Sequence, residues 1–290
     1  MGDYLGQAPP GQTPEPFAPG ILFDTHRPHG SMTISPEGNE IYWVAALSWG
    51  MHQEIWRVVR EGDSWGLPEV APFSTQQEYG FPRFSPDGEK LFANREVESE
   101  TPGGNPHYDI VFAERTGDGW SEFTNPGPPL NSEHYDSSPS VGSDGTVYFF
   151  SSGLDGNLGT NDIYLSRFSN GRYEKPENLG GSINSASMEG CPFISPDGSY
   201  LLFESFRPDG VGDFDIYVSF RRGDGSWTQA TNLGESVNSP FRDGAPFVSP
   251  DGRFLFFMSR RNGVGEYFWV DASAIDRVRA RSSQSRSEIG

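Results

Sequence analysis

Five times along its 290 residues the chain sets a tight acidic Gly turn between two short aromatic segments. The turns are Ser35-Pro36-Glu37-Gly38, Ser85-Pro86-Asp87-Gly88, Gly142-Ser143-Asp144-Gly145, Ser195-Pro196-Asp197-Gly198 and Ser249-Pro250-Asp251-Gly252. Counted from Glu37 to Asp251, the acidic residues stand 50, 57, 53 and 54 positions apart. A unit of this length without a helical pattern is the mark of a radial β-array, in which each unit buries its faces against its neighbours. The clearest copy runs Pro192-Phe193-Ile194, turn, Tyr200-Leu201-Leu202-Phe203, loop, Asp215-Ile216-Tyr217-Val218, turn, and then Trp227 to Asn232-Leu233-Gly234. Four strands so punctuated make one antiparallel propeller blade.

The fold class that follows is all-β, a five-bladed antiparallel β-propeller. The fifth copy has three strands and lacks a fourth, while Pro14-Glu15-Pro16-Phe17 matches the outer-strand segments Pro68-Glu69-Val70 and Pro176-Glu177-Asn178. Residues near 14 to 24 are therefore expected to complete the last blade and close the ring, which removes exposed sheet edges. The domain boundaries become a Pro/Gly-rich extension at 1–13, the propeller at 14–276 and a basic tail at 277–290, read as disordered. Trp65, Trp120, Tyr173 and Trp227 open the fourth segments and are expected in the core.

Charge narrows the partners. At net charge −19 the chain is a poor match for nucleic acid or anionic membrane. Its single cysteine, Cys191, forms no intramolecular disulfide and no thiolate metal cluster. No apolar run approaches the roughly 20 residues of a membrane span. Gly-x-Ser-x-Gly, His-Glu-x-x-His and a phosphate-cradling Gly-Lys-Ser/Thr loop do not occur.

The ordered pattern Ser-Pro-Asp-Gly, aromatic strand, Asp-Ile-Tyr, Trp, Asn-Leu-Gly resembles the WD40-like repeats of TolB-type β-propellers over about residues 14 to 276. The start, Tyr4-Leu5-Gly6-Gln7 and then Thr13-Pro14-Glu15, is similar to stand-alone bacterial members, often exported or lipid-anchored. The resemblance implies a monomer in the periplasm or outside the cell after loss of a signal. It leaves function open, because such repeats serve as protein-binding modules, as accessory domains and in some sugar-acid lyases.

One face of the expected ring carries uniform Asp-Gly turns; the other carries long, dissimilar loops and all five histidines, His26, His29, His52, His107 and His134. Variable loops on a rigid scaffold are where binding sites sit. Three residues before the first-strand Pro, or its counterpart Met32, stand His29, Tyr79, Asp136, Glu189 and Asp243. Glu78, His134, Tyr135 and Arg242 lie one or two places earlier in their copies. First strands line the channel, so this column is expected at its mouth. Converging carboxylates either accept local hydrogen bonds that stitch the blades, or hold a cation. In the second case His29, His134, Asp136, Glu189 and Asp243 are the metal ligands, for Ca²⁺, or for Mn²⁺ or Zn²⁺ where imidazole binds. No organic cofactor is expected.

Two function classes fit. The first is a binding propeller that offers its long-loop face to a protein, glycan or small-molecule ligand, with Glu78, Tyr79 and Tyr135 in contact. The second is a metal-dependent hydrolase or lyase on an ester, phosphotriester, lactone or glycoside. There His29, His134, Asp136, Glu189 and Asp243 supply metal and base, and Arg242 steadies developing negative charge.

Overall fold

A computed structural model of the chain describes residues 3–22, 27–46, 53–75, 78–99, 105–117 and 119–287. Five antiparallel sheets stand in a ring, and the molecule is a five-bladed β-propeller. The inner strands, in chain order, are Arg27–Ile34, Tyr79–Phe84, Asp136–Val141, Glu189–Ile194 and Asp243–Val248. Each packs beside the next, and the last returns to the first. His26 and His52, with most of the loop between Ala46 and Gln53 and part of that between Glu96 and Tyr108, lie outside the described residues.

Ring closure is made by the expected N-terminal segment. Glu15–Pro16 pairs with Glu266–Asp271, Glu15 opposite Trp269 and Pro16 opposite Phe268. The described part of the N-terminal extension, residues 3–13, is tied down as well. Tyr4 packs edge-on to Phe254 at 5.2 Å, and Gln7 bonds both Pro16 O and Ala18 N. The basic tail is the helix Ser273–Ser287, where the sequence suggested disorder. Its first two turns are anchored by buried Ala274, Ile275 and Val278, which extend the apolar core beneath blades 4, 5 and 1.

The repeated motifs have repeated jobs. In the third strands, Asn131, Asn184 and Asn238 each clamp one isoleucine, accepting from its N–H and donating to its C=O: Ile110, Ile163 and Ile216. The second amide hydrogen of each goes to Asn125, Asn178 or Asn232. Those asparagines in turn donate to Asp109, Asp162 and Asp215 and cap the following glycine N–H. Asp-Ile-Tyr and Asn-Leu-Gly are thus two halves of one polar network, which leaves Asp109 Oδ1 in blade 2 as a buried oxygen without a hydrogen-bond donor. In blade 1 the Ser74 hydroxyl takes over the clamp on Ile55 N.

Every inner strand also slips register at its middle. A residue with left-handed φ marks each slip: Gly30, Phe81, Ser138, Cys191 and Ala245, the four non-glycines lying between 47° and 55°. Such β-bulges bend the strand and re-aim its side chains. They divide the channel into a mouth on the long-loop side and a bore toward the Asp-Gly turns.

Candidate functional site at the channel mouth

The expected column forms, but its members are not equivalent. Glu189 is fully buried, and its carboxylate accepts from Ser185 N (2.8 Å), Ser185 Oγ (2.6 Å), Ser205 Oγ (2.7 Å) and Arg207 Nε (3.3 Å). Asp243, also fully buried, accepts from Ser239 N and Oγ at 2.6 Å and from Arg261 Nη2 at 2.7 Å. The same two arginines reach the carbonyls of Ile183 and Val237 in the preceding connection. These acids tie an incoming connection to the second strand of their own blade. Among the described residues, no group of three or more His, Cys, Asp or Glu is arranged to hold a metal ion.

Asp136 breaks the rule. Ser132 N and Oγ donate to Oδ2 at 2.7 and 2.6 Å, matching the other two blades. The position two past Ser151, held by Arg207 and Arg261 elsewhere, is Gly153 here, and Oδ1 is sealed without a hydrogen-bond donor. Burial raises the Asp136 carboxyl above its ordinary value, against lowering by the Ser132 hydrogen bonds, and Asp109 adds to the rise. The imidazole of His134 occupies the Gly153 site so closely that a Cβ there would meet it at 2.5 Å.

Around Asp136 the blade 2–blade 3 border gathers aromatic and titratable groups. Tyr108 and Tyr135 stand ring to ring at 4.6 Å, and Tyr135 runs on to Phe150 at 6.4 Å. Tyr135 is 40 % exposed. Desolvation raises the Tyr108 hydroxyl, and Tyr135 and Glu96 add to it, so Glu96 faces the same pair. His107 Nε2 lies 3.5 Å from Asp109 Oδ1. Phe206 and Phe241 continue the apolar exposure across blades 4 and 5, at 53 % and 49 %.

The remaining expected residues go elsewhere. His29 falls inside the blade 1 bulge, and Pro28 stands opposite Ala45, where Tyr79, Asp136, Glu189 and Asp243 face Arg95, Ser151, Ser205 and Ser259. One extra residue in that bulge shifts His29 out of the column. Tyr79 turns outward and stacks on Phe123 at 4.5 Å, with Phe73 at 6.1 Å. Arg242 is committed to Glu204 at 2.7 Å and lies over the Phe214 ring at 4.5 Å. Glu78 is partly buried at the start of blade 2.

No family model matches the chain, and no curated protein matches it in sequence. Solved structures do match it in shape. TolB from Acinetobacter baumannii superposes with a TM-score of 0.52 at 16 % identity, over 84 % of this chain and 52 % of that one. The fold is TolB-like. The chain spans about half the length of that TolB. Two further solved structures are matched over most of both chains. An endo-arabinase from Bacteroides thetaiotaomicron VPI-5482 gives 0.56 at 14 % identity, covering 87 % and 95 %. An α-L-arabinofuranosidase from Lactobacillus brevis gives 0.53 at 14 %, covering 84 % and 90 %.

Within this TolB-like ring, sequence reasoning passed over Tyr108, Glu96 and Asp109 as site residues, and over the arginines that neutralise two of the acids. A signal existed. Asn131-Ser132, Asn184-Ser185 and Asn238-Ser239 each stand four or five residues before their acid, which marks the acid as the acceptor for that serine. Comparing Gly153 with Arg207 and Arg261 would then have singled out Asp136.

Proposed function

We propose that this chain is a binding propeller that holds a glycan on its long-loop face, with sugar rings seated on Tyr108 and Tyr135. The observation that carries this reading is the partly exposed ring pair joining two blades, with Phe150 behind it. Rigid aromatic faces offer flat apolar area to the C–H faces of a sugar at little entropic cost. Glu96 and His134 supply the hydrogen-bonding edge that fixes a hydroxyl-rich ligand. The scaffold is stiff: a Cβ on Gly159 or Gly212 would collide with the backbone of the connection to the next blade, so each loop is laid tightly on its neighbour. An endo-arabinase and an α-L-arabinofuranosidase share the fold, so carbohydrate is among the ligands this architecture serves. The setting that accompanies this reading is a monomer outside the cytoplasm.

A second reading, hydrolysis of a bound glycoside, rests on Asp136. A buried carboxyl with a raised pKa and one unbonded oxygen has the character of a proton donor. One experiment separates the two. The protein is titrated by calorimetry with a panel of soluble polysaccharides, and the mixtures are assayed for new reducing ends. Saturable heat without new ends, weakened about tenfold or more by Tyr135→Ala at unchanged melting temperature, is the expected result. New reducing ends lost in Asp136→Asn would select the hydrolase. No heat with any polysaccharide would sink both readings and favour a protein ligand. Repeating the titration in EDTA tests the divalent cation: the platform predicts unchanged affinity, and loss restored by Ca²⁺, Mn²⁺ or Zn²⁺ would put an ion in the site.

A further inference from the structure

Arg83 sits on the inner strand of blade 2, at the ladder position occupied by Thr33, Ser140, Phe193 and Phe247 in the other blades. Thr33 and Ser140 use short hydroxyls there to accept from the neighbouring strand, at Phe84 N and Ile194 N. Arg83 is too long for that task. Its guanidinium lies 5.5 Å from the Phe193 ring and 5.1 Å from the Phe247 ring, so a side chain rooted in blade 2 reaches blades 4 and 5 across the bore. Only 6 % of the residue is exposed, and Nε and Nη1 are sealed without an acceptor. Among the described residues no carboxylate pairs with it, and the neighbouring thiol of Cys191 is kept protonated, and so uncharged, by burial. Burial lowers the guanidinium to about 10, which leaves it charged at neutral pH.

An unpaired buried cation is among the costliest features a core can carry. Two aromatic faces offset part of that cost. They do nothing for N–H groups pointing edgeways, which require an acceptor. The arginines of the mouth show the contrast: Arg207, Arg242 and Arg261 each have a carboxylate. We propose that the bore of this propeller binds a small monovalent anion, of the size of chloride or formate, at the edge of the Arg83 guanidinium, whose faces are held by the rings of Phe193 and Phe247. The site is separate from the tyrosine platform and stands or falls independently of it.

The test is thermal unfolding at constant ionic strength, with sodium gluconate replaced stepwise by sodium chloride, bromide or formate. Wild type is expected to show a rise that grows with the logarithm of anion concentration and reaches about 5 °C at a hundredfold excess over Kd. Arg83→Met should show none, and in gluconate it should melt above wild type, because the unpaired charge is gone. Crystals grown in bromide should give an anomalous peak beside the guanidinium. If Arg83→Met does not fold, the wild-type series decides alone: equal melting in gluconate, chloride and formate overturns the proposal. An identical anion response in wild type and variant overturns it too, as does bromide found only at the surface.

Discussion

The three acids of the channel column show how the same side chain takes different roles through its neighbours. Asp243 is buried, and Arg261 is its ion partner. Asp243→Asn should therefore cost about 3–5 kcal/mol, since it leaves a largely buried guanidinium uncompensated. Asp136 has no such partner, and its folded pKa is raised. A raised carboxyl pKa means the folded state binds the proton more tightly than the unfolded chain. Its stabilising contribution is then present below the unfolded pKa and is lost as pH rises through the folded one. At pH 7 Asp136→Asn keeps an oxygen for Ser132 and removes a buried charge, so the variant should be at least as stable as wild type. That advantage should shrink as pH falls through the raised Asp136 pKa, which urea midpoints measured across the acid range would show. A variant clearly less stable than wild type at pH 7 would contradict this account.

At the scale of elements, the outer strands are only two residues long in each blade, too short to hold by ladder bonds alone. The asparagine clamps replace the missing ladder. Asn238→Ala would strand Ile216 N in a buried setting, while Ile216 O keeps the bond from Leu233 N, and about 1–3 kcal/mol should be lost, read as a lower denaturant midpoint at unchanged m. Closure works through one short strand and the ring beside it. Phe17 is fully buried, 4.9 Å from Phe256 and 5.0 Å from Trp269. Phe17→Ala should cost about 3–5 kcal/mol, and calorimetry should show the ring melting at lower temperature.

At the scale of the whole molecule, the ring was legible because its grammar is local. Asp-Gly turns need left-handed glycines, and Gly38, Gly88, Gly145, Gly198 and Gly252 supply them at φ between 69° and 80°. Aromatic alternation then places the core, and the orphan segment at Glu15 reveals the closure. The site was less legible because it depends on contacts between blades. Nothing in the neighbourhood of Asp136 alone tells that Arg207 and Arg261 neutralise its counterparts while Gly153 leaves it bare. His29 misled for a related reason: a one-residue insertion in the blade 1 bulge puts Pro28, not His29, at the ladder position of the column. The helix after Ala272 was only the lesser alternative to a mobile end because its apolar anchors, Ala274, Ile275 and Val278, are few and Arg279 adds only a contact over Phe220.

The central claim is that the two faces differ, the turns being structural and the long loops carrying the ligand. Each face offers an aromatic exposed to the same 40 %: Tyr135 among the loops, and Phe168 on the hairpin that packs beside the Asp144-Gly145 turn. The measurement is the dissociation constant of the tightest polysaccharide for wild type, Tyr135→Ala and Phe168→Ala. The account predicts a loss of about tenfold or more for Tyr135→Ala, and affinity within twofold of wild type for Phe168→Ala. Equal losses, or a loss confined to Phe168→Ala, would contradict it.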